Sequence, residues 1–330
     1  MRYLVTGGAG FIGSHLCEAL LARRDEVVVL DDLSTGTARN LAALDPQARL
    51  GFEHGSVLDH GLVSRLAASA DVVVHLAAAV GVKLIVERPL ESLITNIRGT
   101  EIVLDAAAAS GAKVLVTSTS EIYGKNADGP VAEDADRVLG SPFRSRWSYS
   151  TAKAVDEILA HAYWRDRGLP TVVVRLFNCV GPRQTGEFGM VIPRFVRQAL
   201  AGEDLTVYGD GEQRRCFCHV HDTVTALIAL LDHPGAVGQV FNVGAVNETS
   251  MTRLAEAIVR RIGSVSSIVR IPYDQAYEIG FEDMHRRVPD LTRIRSLTGW
   301  EPTRTLDDIL DDVVAHERAL LASAVTGSVA

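Results

Sequence analysis

Hydrophobic side chains form short uninterrupted runs along the first half of the chain, and stretches with helical apolar spacing lie between these runs. Uninterrupted apolar runs are typical of strands buried on both faces, whereas apolar residues three or four positions apart predict amphipathic helices. The runs are Arg2–Thr6, Val27–Leu30, Leu50–Glu53, Val72–Leu76, Lys113–Thr117 and Thr171–Leu176. Strands that alternate with helices predict an α/β fold built on a doubly wound parallel sheet of the Rossmann type.

The regular alternation of strands and helices ends at about Gly181, after which the predicted elements become shorter. We expect helices at Pro193–Ala201, Asp222–Leu231 and Met251–Ile262, a strand at Leu205–Tyr208, a candidate returning strand at Val240–Val243, and a frayed end from Leu320. The sequence therefore predicts a dinucleotide-binding domain over residues 1–180 and a smaller α/β lobe over residues 181–330.

Composition narrows the classes of protein. The 330 residues are 47% hydrophobic and 22% charged, with a net charge of −8, which is typical of a soluble globular protein. The negative charge argues against nucleic acid or an anionic membrane as a partner, and no apolar run is long enough to span a bilayer. We expect a cytoplasmic protein, and the four scattered cysteines indicate reduced thiols and no metal site.

A glycine-rich segment follows the first strand directly and opens the first helix. It contains Gly7, Gly10 and Gly13, and glycines allow the backbone to turn tightly and approach a pyrophosphate at the helix N-terminus. The next strand ends at Asp31, close to the spacing expected for the carboxylate that binds the ribose. Asp31 and Asp32 would repel a 2′-phosphate, which favours NAD over NADP.

Tyr149 and Lys153 are four residues apart in a predicted helix. Side chains at this spacing are neighbours, so we expect the Lys153 ammonium to lower the pKa of the Tyr149 phenol. The pair would then take a proton from an alcohol while a nicotinamide takes the hydride.

Hydroxyl groups and one carboxylate follow the strand that begins at Lys113. Thr119, Ser120 and Glu121 stand at its carboxyl end, where ligands bind in open parallel sheets. A hydroxyl run of this kind is by itself more typical of a turn or a helix cap. Together with the glycine segment and the Tyr149/Lys153 pair, it predicts contact with a substrate.

These motifs resemble the extended short-chain dehydrogenase/reductase family, in particular its nucleotide-sugar epimerases, dehydratases and decarboxylases. The likeness spans nearly the whole chain. It implies a cofactor site formed by Gly7, Gly10, Phe11, Ile12, Gly13, Asp31, Asp32, Ser34, Thr35, Gly36, Ser56, Val57, Leu76, Ala77, Ala78, Asn96, Tyr149 and Lys153, with Thr119, Ser120, Glu121 and Arg287 joining Tyr149 and Lys153 in catalysis. It also implies a UDP-sugar site at Asn178, Val191, Arg194, Tyr208, Arg215 and Arg287, and a homodimer whose seam contains Val103, Val155 and Ile158.

The segment Thr119–Glu121 resembles the signature of UDP-glucuronic acid decarboxylases, as do Arg146–Ser150 and the Arg287 motif. The resemblance implies oxidation at carbon 4, loss of carbon dioxide, and UDP-4-keto-pentose or UDP-xylose as product. The loop from Ala79 to Leu84 lacks the prolines of xylose-forming relatives. A UDP-hexose or UDP-uronate 4-epimerase is the alternative enzyme, and a dinucleotide-sensing regulatory module is the alternative without catalysis.

Overall fold

The computed structural model describes residues 1–42, 44–45, 48–81, 88–126, 129–144, 147–186, 189–276 and 286–327. Its strands are β1 (Arg2–Thr6), β2 (Glu26–Asp31), β3 (Leu50–His54), β4 (Val72–His75), β5 (Lys113–Thr119), β6 (Pro130–Val131), β7 (Thr171–Leu176), β8 (Cys179–Val180), β9 (Leu205–Tyr208), β10 (Arg214–Cys216), β11 (Cys218–His219), β12 (Val240–Val243), β13 (Glu248–Ser250), β14 (Ile268–Ile271) and β15 (Val288–Pro289).

Its helices are α1 (Phe11–Ala22), α2 (Arg39–Ala42), α3 (His60–Ala67), α4 (Pro89–Ser110), α5 (Ser148–Arg167), α6 (Val191–Ala201), α7 (Val220–Asp232), α8 (Met251–Ile262), α9 (Tyr273–Ala276), α10 (Thr292–Thr298) and α11 (Leu306–Gly327). The ends of α4 and α5 follow from local chemistry. Pro89 occupies the first turn of α4, and Gly111 and Gly168 adopt left-handed conformations after the last turns of α4 and α5. Proline suits the first helical turn, and glycine accepts positive φ at no steric cost.

Seven parallel strands form the central sheet in the order β12-β7-β5-β4-β1-β2-β3. The first six predicted runs all lie in it, and Val240–Val243 returns from the second half of the chain to pair with β7. The predicted doubly wound parallel sheet is therefore confirmed.

Helices cover both faces of this sheet, so its strands are apolar on both sides. Leu16 and Leu20 of α1 pack with Leu227 of α7 on one face. Val63 of α3 and Leu104 of α4 pack on the other. The chain thus returns to the sheet with both α7 and β12 after it has built part of the second lobe.

The second lobe has its own hydrophobic core. Phe195 of α6, Val207 of β9, Leu254 of α8 and Ile309 of α11 are all buried within it. β14 pairs with β9 in parallel, and β10 pairs with β13 in antiparallel fashion. These strands are only three or four residues long, which is too short for an alternation pattern to predict most of them.

The end of the chain differs from the expectation. α11 continues to Gly327 where a frayed segment from Leu320 was expected, because Ile309, Leu310 and Val313 anchor its first half in the second core. Within the described part of the chain, no helix is long and apolar enough to cross a membrane.

Asp222 ties α7 to the segment that precedes α11. Its buried carboxylate accepts hydrogen bonds from the Thr303 and Arg304 amides at 3.1 and 2.9 Å and from the Thr303 hydroxyl at 2.9 Å. A carboxylate with several donors inside a protein is strongly stabilised, and its removal leaves those donors unpaired.

We expect Asp222→Ala to lower the free energy of unfolding by about 2–3 kcal/mol, since two backbone amides lose their acceptor. Urea unfolding of the variant measures the loss. Asp166→Asn, which neutralises an exposed carboxylate on α5, is the matched control and should leave stability within about 0.5 kcal/mol of the wild type. Equal stability of the two variants would contradict a fastening role for Asp222.

Candidate active site

A cavity of about 610 Å³ runs along the carboxyl ends of the parallel strands and continues against the second lobe. Its wall contains residues that follow β1, β2, β4, β5 and β7, together with residues from α5, α6 and β10. Open parallel sheets bind ligands at this edge. The volume falls in the range of small-molecule sites.

The glycine segment approaches the cavity so closely that side chains are excluded. A Cβ on Gly7, whose φ is +72°, would lie 2.7 Å from the Ala77 nitrogen, and a Cβ on Gly13 would lie 2.2 Å from the Gly7 oxygen. No side chain caps the N-terminus of α1 at Gly10. The first amides of α1 therefore form the kind of bare helix end that binds phosphate.

Asp31 closes the turn after β2 and holds it against the glycine segment. Its carboxylate accepts hydrogen bonds from the amides of Ala9 and Leu33, both at 2.9 Å. Burial raises the pKa of Asp31, the hydrogen bonds from Leu33 and Ala9 oppose that shift, and Asp32 adds to it. Asp31 thus orients the phosphate-binding segment and also faces the cavity.

Most of the expected cofactor residues line the cavity, including those that the family resemblance implied. They are Gly7, Gly10, Phe11, Ile12, Gly13, Asp31, Asp32, Ser34, Thr35, Val57, Leu76, Ala77, Ala78, Tyr149 and Lys153.

Gly36, Ser56 and Asn96, which the resemblance also implied as cofactor residues, lie next to the residues that line this cavity. Gly36 packs against Ala9, where a Cβ would lie 2.9 Å from the Ala9 carbonyl carbon. The Ser56 hydroxyl accepts a hydrogen bond from Leu58 within its own turn. Asn96 is buried and bonds both the amide and the carbonyl of Ala79. Asn96 thus supports Ala79, a residue of the cavity wall.

Tyr149 and Lys153 both face the cavity from α5. The expected lowering of the Tyr149 pKa is not found. Burial raises the pKa of Tyr149, and the carboxylates of Glu121 and Asp156 raise it further. The Lys153 ammonium lies 3.1 Å from the Asp156 carboxylate, so the positive charge expected to act on Tyr149 is paired with a negative one.

Thr119 ends β5 and caps the short 3₁₀ turn that follows. Its hydroxyl oxygen accepts a hydrogen bond from the Glu121 amide at 3.2 Å, so the hydroxyl proton remains for a donor role toward the cavity. The Ser150 hydroxyl of α5 donates to the Glu121 carbonyl at 2.9 Å. Thr119, Ser120 and Glu121 are thereby fixed relative to Tyr149.

Arg287, from a distant part of the sequence, places its positively charged guanidinium beside Glu121. It directly precedes β15, which pairs with β6, and its guanidinium donates to the Glu121 carboxylate at 2.8 Å. Only 8% of the Arg287 side chain and 15% of the Glu121 side chain are exposed. Sequence reasoning named both residues, and the structure brings them into direct contact.

The remaining residues expected to bind the nucleotide sugar line the far part of the cavity: Asn178, Val191, Arg194, Tyr208 and Arg215. The Arg194 guanidinium stacks 4.2 Å from the centre of the Tyr208 ring and donates to the Thr206 carbonyl at 3.0 Å. The Asn178 amide donates to the Cys216 carbonyl at 3.0 Å. These contacts fix the orientation of side chains that come from separate elements.

Sequence reasoning did not select several residues of the wall, including Gln184 and Gln213. Each side-chain amide donates to a nearby carbonyl, to that of Cys179 and that of Tyr208 respectively. Each Oε1 atom is buried without a hydrogen-bond partner among the described residues. Both glutamines stand in sequence motifs that resemble those of the family. This resemblance is the signal that could have identified them as residues of the cavity wall.

Arg146 and residues 82–84 of the loop after β4 lie outside the described residues. No group of three or more histidine, cysteine or acidic side chains suited to a metal ion occurs within the described ranges. Cys216 lies in β10, which pairs with β13, whereas Cys218 lies in β11, which pairs with β8.

The glycine cradle, the uncapped α1 terminus and Asp31 fit the pyrophosphate and ribose of a dinucleotide. Fold and cavity thus define a dinucleotide-binding enzyme built on a Rossmann-type sheet. The family model described as GDP-mannose 4,6 dehydratase matches residues 4–313, and the chain belongs to this extended short-chain dehydrogenase/reductase family of NAD-dependent epimerases and dehydratases.

Two curated relatives match almost the entire chain. It is 40% identical over 320 residues to the UDP-N-acetyl-alpha-D-glucosaminuronate decarboxylase of Bacillus cytotoxicus, covering 97% of this chain and 98% of that protein. It is 36% identical over 319 residues to UDP-glucuronic acid decarboxylase 1 of Xenopus tropicalis, covering 96% of this chain and 72% of that protein.

A solved structure shares the fold over the same span. The UDP-glucuronic acid 4-epimerase from Bacillus cereus, in complex with UDP-glucuronic acid and NAD, superimposes with a TM-score of 0.87 at 29% identity. The match covers 97% of this chain and 100% of that one.

Asp31→Asn should weaken NAD binding and narrow the preference for NAD over NADP, because it removes the charge that repels a 2′-phosphate while keeping one acceptor for the glycine segment. We expect the ratio of the two dissociation constants, measured by calorimetry, to change by about tenfold or more, equivalent to ~1.4 kcal/mol. Asp71→Asn, which alters a carboxylate that binds the Arg2 amide, is the control. An unchanged ratio in Asp31→Asn would contradict this role.

Proposed function

We propose that the protein is an NAD-dependent UDP-glucuronic acid decarboxylase that oxidises carbon 4 of the sugar and releases carbon dioxide from carbon 6. The observation that carries the proposal is the Glu121–Arg287 ion pair beside Thr119, Ser120 and Tyr149. A guanidinium binds carboxylates through paired hydrogen bonds, and a simple 4-epimerase needs no such group next to the ketone. The decarboxylase names of the relatives support the same reading.

NAD supplies the hydride acceptor and a positive charge when it is bound. Tyr149 takes the proton of the carbon-4 hydroxyl as the hydride leaves carbon 4, which yields a 4-ketone. Lys153 supplies the nearby cation, and Thr119 donates a hydrogen bond to the same sugar oxygen. The oxidised uronate is a β-keto acid.

Decarboxylation then breaks the bond between carbons 5 and 6. The electron pair moves to the carbon-4 oxygen and forms an enolate as carbon dioxide leaves. Tyr149, which holds the abstracted proton, and Thr119 donate hydrogen bonds to that oxygen and stabilise its charge. Arg287 orients the carboxylate before it leaves, and Glu121 with Ser120 directs a proton to carbon 5.

The product depends on the last step. If hydride returns to carbon 4 together with the Tyr149 proton, the product is UDP-xylose. If the ketone leaves first, the product is UDP-4-keto-pentose.

We assign residues 1–180 to NAD binding and residues 181–330 to the nucleotide sugar. Asn178 and Arg215 would hold the diphosphate, because arginines give paired charge-assisted hydrogen bonds to phosphate oxygens. Val191, Arg194 and Tyr208 would contact the nucleoside. An acidic protein must gather such cations locally to bind two phosphates.

The substituent at carbon 2 separates UDP-glucuronate from the N-acetylated uronate named for the Bacillus cytotoxicus relative. A 4-epimerase would give a product of the same mass as its substrate, since epimerisation releases nothing. Incubation with NAD and either UDP-uronate, with products identified by mass and NMR, separates these outcomes. Release of carbon dioxide from UDP-glucuronate is the expected result, and C4 inversion without mass loss would replace the proposal with the epimerase.

Glu121→Gln should lower carbon dioxide release from UDP-glucuronate by about 100-fold, the usual size for loss of a general acid or base. Single-turnover formation of NADH should persist, because Tyr149 and Lys153 are unchanged. Tyr149→Phe should abolish both signals, and Glu101→Gln, which alters an exposed carboxylate on α4, should alter neither. Undiminished release from Glu121→Gln would remove Glu121 from the chemistry.

A homodimer through α4 and α5 is also part of the proposal. Leu90 and Ile94 of α4 and Ile158 of α5 are exposed, at 70%, 43% and 65%, and an apolar surface of this kind favours a self-complementary interface. Val103, expected in the seam, is instead 1% exposed in the subunit core and cannot contribute. Val155 is partly buried.

Ile158→Arg should shift the protein from dimer to monomer in sedimentation velocity at micromolar concentration, because two symmetry-related charges would meet at the seam. Val265→Arg adds the same charge at a residue that is 93% exposed and lies between α8 and β14. The Val265→Arg variant should remain a dimer like the wild type. A monomeric wild type, or a dimeric Ile158→Arg variant, would refute this interface.

A further inference from the structure

The position of Arg287 depends on contacts beyond its own strand. β15, which follows Arg287 directly, is two residues long, and so is β6, with which it forms a separate two-stranded sheet. A sheet of two strands is only marginally stable by itself. The Arg287 side chain is nevertheless buried, 2.8 Å from the Glu121 carboxylate. The groups that hold β6 and β15 therefore decide whether the guanidinium stays beside Glu121.

One buried side chain holds both of these strands. Asn242 of β12 is 0% exposed. Its Nδ2 atom donates to the Val131 carbonyl of β6 at 2.9 Å and to the carbonyl of Asp290, the residue after β15, at 3.2 Å. An amide nitrogen carries two hydrogens, so Asn242 can use one for each segment. It thereby fastens β6 and β15 to the edge strand of the central sheet.

The amide oxygen of Asn242 links the same side chain to the turn that carries Glu121. Oδ1 accepts a hydrogen bond from the Tyr123 hydroxyl at 2.6 Å. Tyr123 is 1% exposed and ends the 3₁₀ turn Ser120–Tyr123, which follows β5. Asn242 therefore contacts the segments that carry both members of the Glu121–Arg287 ion pair.

Donor and acceptor chemistry gives these contacts one arrangement. Both backbone carbonyls only accept, so the amide nitrogen of Asn242 must face them and its oxygen must face Tyr123. The Tyr123 hydroxyl donates its proton to Asn242 and accepts from Nη1 of Arg175 at 2.8 Å. Arg175 of β7 is itself paired with Glu157 of α5 at 2.7 Å. The contacts thus run from the central sheet through the turn to the strand beside Arg287, and a charged donor at one end strengthens them.

We propose that Asn242 is a positioning residue, which holds the Arg287 guanidinium beside Glu121 and so shapes the site that selects a carboxylate at carbon 6 of the sugar. It acts through Tyr123 on one side and through the paired strands β6 and β15 on the other. A displaced guanidinium keeps its charge but loses paired hydrogen bonds to a carboxylate, because these depend on geometry. The inference rests on the proposed function in taking Arg287 as the group that orients the carboxylate.

Carboxylate selection can be measured as a ratio of two dissociation constants, that of UDP-glucose divided by that of UDP-glucuronate. The two ligands differ only at carbon 6. Calorimetry with NAD present, in the Tyr149→Phe background, gives binding without oxidation of either sugar, and UDP alone reports the rest of the site. Arg287→Gln defines the full effect and should bring the ratio close to one, because it removes the paired charged donors.

Asn242→Leu keeps a similar side-chain volume but removes the hydrogen bonds to both strands and to Tyr123. The ratio should fall by about tenfold, the scale of one hydrogen bond to a charged group, while the dissociation constant of UDP stays within about twofold. Asp222→Ala is the matched control, because it also removes buried hydrogen bonds but its partners Thr303 and Arg304 belong to the segment before α11. It should leave the ratio at the wild-type value.

Tyr123→Phe is a milder second variant. It deletes one hydroxyl and leaves the hydrogen bonds from Asn242 to β6 and to Asp290 in place. Since the link to the turn with Glu121 is lost, the ratio should fall by about threefold, the scale of one neutral hydrogen bond.

An unchanged ratio in folded Asn242→Leu, an equal fall in Asp222→Ala, or an equal loss of affinity for UDP would overturn the proposal. So would an unchanged ratio in Arg287→Gln. If Asn242→Leu fails to fold, an unchanged ratio in Tyr123→Phe overturns it. The binding ratio needs no turnover, so failure of the decarboxylase proposal, seen as no carbon dioxide from the wild type, is distinguishable from failure of this one.

Discussion

The parallel pairing of β1, β4, β5 and β7 is the constraint on which the active-site geometry depends. Parallel strands present all their carboxyl ends at one edge, and the register aligns Thr6 of β1 with His75 of β4 and His75 with Val116 of β5. That edge therefore brings together the glycine segment after β1, the alanines after β4 and the hydroxyl run after β5. Chain segments more than a hundred residues apart meet there through the pairing of these strands.

Helix α5 supplies Tyr149 and Lys153 to this edge, and contacts at several points along the helix hold it in place. Ser150 binds the Glu121 carbonyl, Glu157 forms a bidentate pair with Arg175 of β7, and Lys153 pairs with Asp156 inside the core. These contacts fix the position of α5, and with it that of Tyr149, relative to Thr119 and Glu121. Such fixed placement favours proton transfer and stabilisation of a developing oxyanion, because no reorganisation is needed during the reaction.

Most charged groups of the site have a counter-ion within the protein. Glu121 faces Arg287, and Asp156 faces Lys153, so neither buried carboxylate is left without a counter-ion. Burial and these two carboxylates still raise the pKa of Tyr149. These groups therefore favour the protonated form of Tyr149, and a bound positive charge would shift it toward the phenolate.

The sequence by itself determined the parallel sheet, the glycine segment, Asp31, the Tyr149/Lys153 pair and the hydroxyl run after β5, because each depends on a local pattern of apolar spacing or on residues at fixed separation. It also named Arg287 and Glu121, but only the tertiary structure decided that they form an ion pair, since β15 reaches the site through pairing with β6. Gly36, Ser56 and Asn96 stay predicted cofactor residues, and only the tertiary structure decided that Asn96 bonds the backbone of Ala79 in the cavity wall. Asp156 gave no signal in the sequence at all: a carboxylate in a helix is ordinarily solvated, and only the packing of α4 and β4 against α5 buries it beside Lys153.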